Sequence, residues 1–291
     1  MCGTCGCSDT ENAVTITDPE TGETQIVRPG SILDETQSAA PHDHHAHDGD
    51  HDHHHHEGDD KPHVHGPGGE IISLETAVLQ KNDQIALQNR GWFEGRGVLA
   101  LNLVSSPGAG KTTLLEATIS AINDELDIAV IEGDQMTAND ANRIREAGAK
   151  ALQINTGAGC HLEADMISSA VKTLNPAAGS ILFIENVGNL VCPAMFDLGE
   201  HMKVAIISTT EGEDKPLKYP HMFRASDLVI VNKMDLAPHV DFDEEACLAN
   251  IKAVNPDAKV LLLSAKSNQG MDQWLAFLKS EVNAPRVRAV R

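Results

Sequence analysis

The run Ser105-Ser106-Pro107-Gly108-Ala109-Gly110-Lys111-Thr112-Thr113 joins a short apolar segment to a helical pattern, the setting a phosphate-binding loop requires. Gly108 and Gly110, with Ala109 between them, let backbone N–H groups turn inward around phosphate oxygens, and the helix that follows adds the positive end of its dipole. Lys111 then bridges the β- and γ-phosphates, the Thr112 hydroxyl binds Mg2+, and Thr113 completes the nucleotide-binding run. Ser105 stands where the usual pattern has its first glycine. That position only begins the loop, and the inner glycines and Gly-Lys-Thr are intact.

Asn232-Lys233-Met234-Asp235 ends another apolar run. From there the Asp235 carboxylate can accept from guanine N1–H and the 2-amino group, and Asn232 can meet the purine N7. Adenine lacks those donors, so accepting it leaves a buried carboxylate unpaired, which favours GTP over ATP. Backbone N–H groups at Ser264-Ala265-Lys266, near a third strand end, are placed to receive guanine O6. P-loop, N-K-x-D and this last segment, in that order, resemble the GTPase superfamily.

The switch elements are less regular. Glu185-Asn186-Val187-Gly188 occupies the place of D-x-x-G, giving Glu185 the Mg2+ or attacking-water role and the Gly188 N–H the sensing of the γ-phosphate. Asp134, in Glu132-Gly133-Asp134, either lies near the same ion or merely finishes a strand. Asn189 stands where Ras-like proteins orient the attacking water with Gln, so intrinsic hydrolysis is expected to be slow.

Cysteine and histidine form three groups. Cys160-His161 and Cys192 fall in loops at strand ends, Cys192 only four residues beyond Gly188; two thiolates and an imidazole suit Zn2+ or Ni2+. Three ligands leave an incomplete shell, to be closed by water or by sharing across a two-fold dimer. Cys2, Cys5 and Cys7 form a C-x-x-C-x-C tip with no core to occupy, read as a soft-ligand site or as an oxidation-prone terminus. Eleven of the fifteen histidines lie between His42 and His65. His42, His44, His45, His47, His51, His53, His54, His55 and His56, interleaved with acids, are compositional evidence of a tract that concentrates metal without choosing among ions. Cys247, in a helix-like stretch, reads as a core thiol.

These residues need a scaffold. Apolar runs at 98–105, 128–132, 152–155, 181–185, 204–208, 228–232 and 260–264 read as strands buried on both faces, and most of the intervening segments have helical spacing. The pattern predicts an α/β fold with a mainly parallel sheet, helices on both faces and ligands outside the carboxyl ends of the strands. Residues 73–96 read as a helix burying Leu74, Val78, Ile85 and Leu87. Residues 1–69, poor in apolar periodicity, read as a disordered metal-binding arm, and residues 70–291 as the folded domain. The net charge of −21 excludes the clustered-cation footprint of a nucleic-acid binder. The absence of a long apolar stretch or a secretory pattern predicts a soluble, cytoplasmic chain without membrane association.

With Met-Cys-Gly-Thr-Cys-Gly-Cys at the start, Gly-Cys-His-Leu at 159–162, Glu-Asn-Val-Gly-Asn-Leu-Val-Cys-Pro at 185–193 and Thr-Glu-Gly-Glu-Asp-Lys-Pro-Leu-Lys-Tyr-Pro at 210–220, the chain resembles the HypB family of nickel–iron hydrogenase maturation GTPases. The resemblance implies a SIMIBI-type G domain and Ni2+ as the delivered ion. It also implies GTP-dependent homodimerisation and transfer through a HypA-type accessory protein to the hydrogenase large subunit. Cys160, His161 and Cys192 match the family's G-domain metal site, and Cys2, Cys5 and Cys7 its terminal site. A nickel store with a regulatory G domain is the competing expectation.

Overall fold

The computed structural model describes residues 14–17, 24–27, 63–65, 71–134, 139–157 and 159–284. Seven strands run parallel: β5 (Leu99–Ser105), β6 (Ile128–Asp134), β7 (Lys150–Asn155), β8 (Ile181–Glu185), β9 (Met202–Ser208), β10 (Leu228–Asn232) and β11 (Lys259–Leu262). They were legible as apolar runs because most are covered on both faces, and every residue of β5, β8 and β10 is buried. Sheet order is β11-β10-β9-β5-β8-β6-β7, followed by β1 (Val14–Thr17) and β2 (Thr24–Val27).

Leu99, Leu101 and Leu103 of β5 point into a core shared with α2 (Lys111–Ile122), α3 (Asn139–Glu146) and α8 (Met271–Asn283). On the other face, Ala100 packs with Phe93 of α1 (Leu74–Arg96) and Ile167 of α4 (Ala164–Leu174). Val104 on that face packs with Phe223 of α6 (Pro220–Ala225) and with Cys247 and Ile251 of α7 (Glu244–Val254). Cys247 is a core thiol, 1% exposed, whose ionisation burial pushes up to about 12.

Two expectations are corrected. The segment read as a disordered arm contains β1 and β2, an antiparallel pair that extends the main sheet: Thr15 pairs with Asn155 and Thr17 with Gln153 of β7. Val14 and Ile16 alternate inward and are 5% and 1% exposed, so β1 belongs to the core although charged and polar neighbours hide it in the sequence, whereas Ile26 of the outer strand β2 is 64% exposed. A further antiparallel pair, β3 (His63–His65) and β4 (Ile71–Ser73), straddles the expected boundary at 69/70. Cys2, Cys5, Cys7 and the histidines from His42 to His56 lie outside the described residues.

The helix at 74–96 forms, but with a different buried face. Val78 and Leu87 are 40% and 56% exposed, whereas Asn82, Ala86, Asn89 and Phe93 are buried. Apolar periodicity points to the wrong stripe because two positions on the packed stripe are asparagines whose amides are satisfied by backbone.

Candidate functional site

The phosphate loop leaves the carboxyl end of β5, the middle one of the seven parallel strands. Gly108 and Gly110 have φ of 79° and 98°, the left-handed region that glycine enters without steric cost. A Cβ on Gly110 would also lie 2.6 Å from Asn232 Nδ2. Lys111 Nζ donates to Ser105 Oγ at 2.8 Å, so the serine that replaces the first glycine holds the ammonium. Burial lowers the Lys111 pKa, and the carboxylates nearby, Glu185 first, oppose that shift.

Thr112 Oγ1 donates to Glu185 Oε1 at 3.0 Å, so the hydroxyl and carboxylate expected around Mg2+ meet although they lie on different elements. Glu185 ends β8, and strand register sets it beside Glu132 of β6. Glu132, together with Asp140 and Arg143 of α3, lines a cleft of 580 Å³ that also takes in Lys111, Thr112, Asp134, Glu185 and Gly188. None of Glu132, Asp140 and Arg143 stood out in the sequence; only strand pairing and the return of α3 bring them in. Glu132 Oε2 is buried without a hydrogen-bond partner, as is Glu185 Oε2. Two orphaned carboxylate oxygens beside a threonine hydroxyl are a donor set suited to a hard divalent cation such as Mg2+.

Burial, and then the neighbouring Glu185, push the Glu132 carboxyl up to about 8. Its folded pKa therefore exceeds the free value of 4.5, so its contribution to stability is full below about 4.5 and is lost as pH rises through about 8. Glu132→Gln keeps the shape without the charge. It is expected to raise the unfolding temperature of the nucleotide-free, metal-free protein near pH 9 and to leave it nearly unchanged near pH 5. Thermal melts across that range check this, and a gap independent of pH would contradict it.

The residues expected to recognise the base lie next to the phosphate loop. Lys233 adopts φ 62°, and its Nζ donates to Gly108 O at 2.6 Å. Asn232 does more than the sequence suggested: its Nδ2 donates to Ala109 O at 2.9 Å and its Oδ1 accepts from the N–H groups of Lys233 and Ala265. One amide hydrogen is left for a purine. Asp235 Oδ1 accepts from Ser264 Oγ at 2.5 Å, while Lys266 is exposed.

The second cluster adjoins the cleft. Cys160 Sγ lies 2.9 Å from Cys192 Sγ and 3.5 Å from His161 Nδ1, and one donor atom from each of the three residues fits within 4.8 Å of the others. Two thiolates on one tetrahedral ion at about 2.3 Å each sit roughly 3.8 Å apart, so the sulfurs need to open by only about 1 Å. His161 stacks on Phe196 with centroids 3.9 Å apart, and its buried Nε2 lacks a hydrogen bond, with Glu163 Oε1 3.5 Å away.

The switch segment is tied to this cluster. Asn186 Oδ1 accepts from Leu162 N at 3.2 Å, and Asn189 Nδ2 donates to Cys160 O at 3.3 Å. Behind them a buried chain runs from Asn186 to Asn102, from Asn102 to Glu200, and from Glu200 to Lys203, whose Nζ donates to Pro193 O and Phe196 O. Gly133 and Gly188 permit the close approach: a Cβ would lie 2.8 Å from the Leu162 side chain and 3.0 Å from Pro107, respectively.

A sheet of this topology, with a P-loop at the middle one of its parallel strands and N-K-x-D two strands away, defines a P-loop nucleotide-binding protein. The family model for the CobW/HypB/UreG nucleotide-binding domain matches residues 99–262. The hydrogenase maturation factor HypB of Rhizobium leguminosarum bv. viciae is 59% identical over 231 residues, 78% of this chain and 76% of its own length. The crystal structure of the hydrogenase maturation factor HypB from Archaeoglobus fulgidus aligns with a TM-score of 0.66 at 40% identity, covering 70% of this chain and all of that one. That of HypB from Helicobacter pylori in complex with nickel aligns with a TM-score of 0.66 at 38% identity, covering 72% of this chain and all of that one. The chain belongs to the HypB family of hydrogenase maturation factors. Among the described residues no helix is long and apolar enough to cross a membrane.

Proposed function

We propose that this chain is a GTP-hydrolysing nickel metallochaperone that delivers Ni2+ during maturation of nickel–iron hydrogenase, with GTP-dependent dimerisation gating the transfer. The observation that carries the reading is the continuity of the two sites. Glu185 to Gly188, placed to respond to Mg2+ and the γ-phosphate, and Cys192 share one short segment, and Asn186 and Asn189 of that segment hold the Cys160-His161 loop. Nucleotide-dependent movement of the segment therefore changes the ligand geometry directly.

Lys111, Thr112, Asp134, Glu185 and Gly188 act on the phosphates and Mg2+. Gly108, Ala109, Gly110 and Thr113 line the loop, and Asn232, Lys233, Asp235, Ser264, Ala265 and Lys266 recognise the base. Asn189, in the water-orienting place, is engaged by Cys160 O and Val191 N, in keeping with slow intrinsic hydrolysis. Cys160, His161 and Cys192 bind Ni2+, with Zn2+ as a competing occupant, and a second copy completes the shell. Val191 and Met195, flanking Cys192, are 57% and 45% exposed, and such apolar surface beside an incomplete metal shell suits a dimer contact. Cys2, Cys5, Cys7 and the histidine tract of the metal-binding arm gather metal. A HypA-type accessory protein and the hydrogenase large subunit receive it, in the cytoplasm.

The test compares Ni2+ affinity of the full chain bound to GDP and to a non-hydrolysable GTP analogue, with Cys2, Cys5 and Cys7 replaced by Ser. Thiolate-to-nickel charge-transfer absorption then reports Cys160 and Cys192 alone, because the Cys247 thiol is held protonated. A difference of about fivefold or more is expected, the scale of an ordinary coupling energy. Equal affinities would refute gating. Deletion of residues 1–69 is a poor substitute, since it strips β1 and β2 from the sheet and uncovers the β7 edge.

A further inference from the structure

Helix α1 lies outside the 99–262 span of the family domain, yet its buried stripe grips both loops that carry the metal cluster. Asparagine on the packed face of a helix is costly unless its amide is satisfied. Here both amides bond backbone, at the first residue of α4 and in the loop after Cys192. Asn82 Oδ1 accepts from Ala164 N at 2.9 Å, while its Nδ2 donates to Asp197 O at 2.7 Å. One side chain thus bridges the segment just after His161 and the segment just after Cys192. Two turns along, Asn89 Nδ2 repeats the bridge, donating to Ala164 O at 2.8 Å and to Leu198 O at 3.0 Å. Arg90 Nη2 donates to both carboxylate oxygens of Asp197 at 2.8 Å. Gly199 then passes so close that a Cβ would lie 2.5 Å from Ala86 O, which seats the second loop against the helix.

We infer that Asn82, Asn89 and Arg90 are positioning residues for the Cys160, His161 and Cys192 cluster, tying together the two segments that carry it. The inference rests on the metal-binding reading of that cluster. The physical reason is the contrast between two kinds of tether. Asn186 and Asn189 reach the cluster from the switch segment, so their hold changes with the nucleotide. The α1 bridges come from a 23-residue helix packed on the sheet through Phe93, on the side away from the phosphate loop, and do not touch the nucleotide cleft. They supply the fixed frame against which a moving switch displaces Cys192. Without such a frame both loops would shift together, and the distance from Cys192 to Cys160 and His161 would respond weakly.

The test uses the full chain with Cys2, Cys5 and Cys7 replaced by Ser, so that charge-transfer absorption of added Ni2+ or Co2+ reads the cluster. Asn82→Ala is expected to weaken the affinity read from that band, in competition with a chelator, by about tenfold or more and to change the band's shape, as loss of supporting bonds around metal ligands does. GDP affinity should stay within about twofold, a split that general destabilisation would not produce. Should Asn82→Ala fail to fold, Arg90→Gln keeps both asparagine bridges and is expected to weaken the band affinity by about threefold at unchanged GDP affinity, with Arg90→Lys restoring part of it. Unchanged metal affinity and band shape in a folded variant overturn the clamp, and so does an equal loss of metal and GDP affinity. If the unsubstituted parent shows no thiolate band, the metal-site reading itself fails and the clamp with it, which separates the two failures.

Discussion

Cys192→Ala is expected to remove the Cys192 contribution to thiolate-to-nickel absorption at the G-domain cluster and to weaken Ni2+ binding there by at least about 100-fold. Disturbing residues that merely support a ligand costs 10- to 100-fold, and this change removes a ligand outright. The cluster has no spare donor: Cys160, His161 and Cys192 form the one group of three potential ligands found among the described residues. Cys192 does not line the nucleotide cleft, whereas Cys160 does, so the variant is also the cleaner probe of coupling. Its GDP affinity should remain within about twofold of the parent. Titrating the thiolate-to-nickel band against a chelator, and GDP in a separate calorimetric titration, both in the background lacking Cys2, Cys5 and Cys7, checks both expectations. If the cluster affinity survived the substitution, the metal would reside in the arm, and the storage reading would replace the gated one.

The second large effect concerns the base. Asp235 follows the left-handed turn at Lys233 and is oriented by the Ser264 hydroxyl. A carboxylate so placed accepts from two guanine donors. Asp235→Asn replaces one acceptor by an N–H that faces the guanine 2-amino group, so a favourable charge-assisted contact becomes a donor–donor clash. A loss of about 3 kcal/mol, roughly 100-fold in GTP affinity, is expected. Xanthosine triphosphate, which offers a carbonyl where guanine has its 2-amino group, should bind the variant better than GTP does. Competition against a fluorescent guanine nucleotide measures both. Unchanged GTP affinity, or ATP competing as well as GTP in the native chain, would remove Asp235 from base recognition. Nickel binding without nucleotide should not change.

The parallel strands could be read from sequence because each is short, continuous and apolar on both faces. β1 and β2 could not. Each has four residues, Val14 and Ile16 are the inward pair of β1, and β7, through which β1 joins the main sheet, lies more than a hundred residues away. Such pairing leaves almost no local signal in a segment dominated by polar residues. Helix α1 shows the opposite failure. Its existence was plain, but its orientation was inverted, because Val78 and Leu87 are the exposed apolar residues while Asn82 and Asn89 are buried to bridge backbone. A periodicity search assumes that buried means apolar, and a helix that clamps loops violates that assumption.

What the amino-acid sequence determined by itself was chemistry carried by contiguous residues: the P-loop, the N-K-x-D turn, and which soft donor atoms the chain carries. Those depend on local backbone geometry and on which donor atoms a side chain carries, both settled within a few residues. Tertiary structure alone decided which groups meet. Strand register set Glu132 beside Glu185, and the order β8-β6-β7 brought the loop after β7 to the loop after β8, so that Cys160 and Cys192, 32 residues apart, stand 2.9 Å from each other. The same packing placed α1 against both loops. Convergence of this kind is a property of the whole sheet and its crossovers, and no window of sequence contains it.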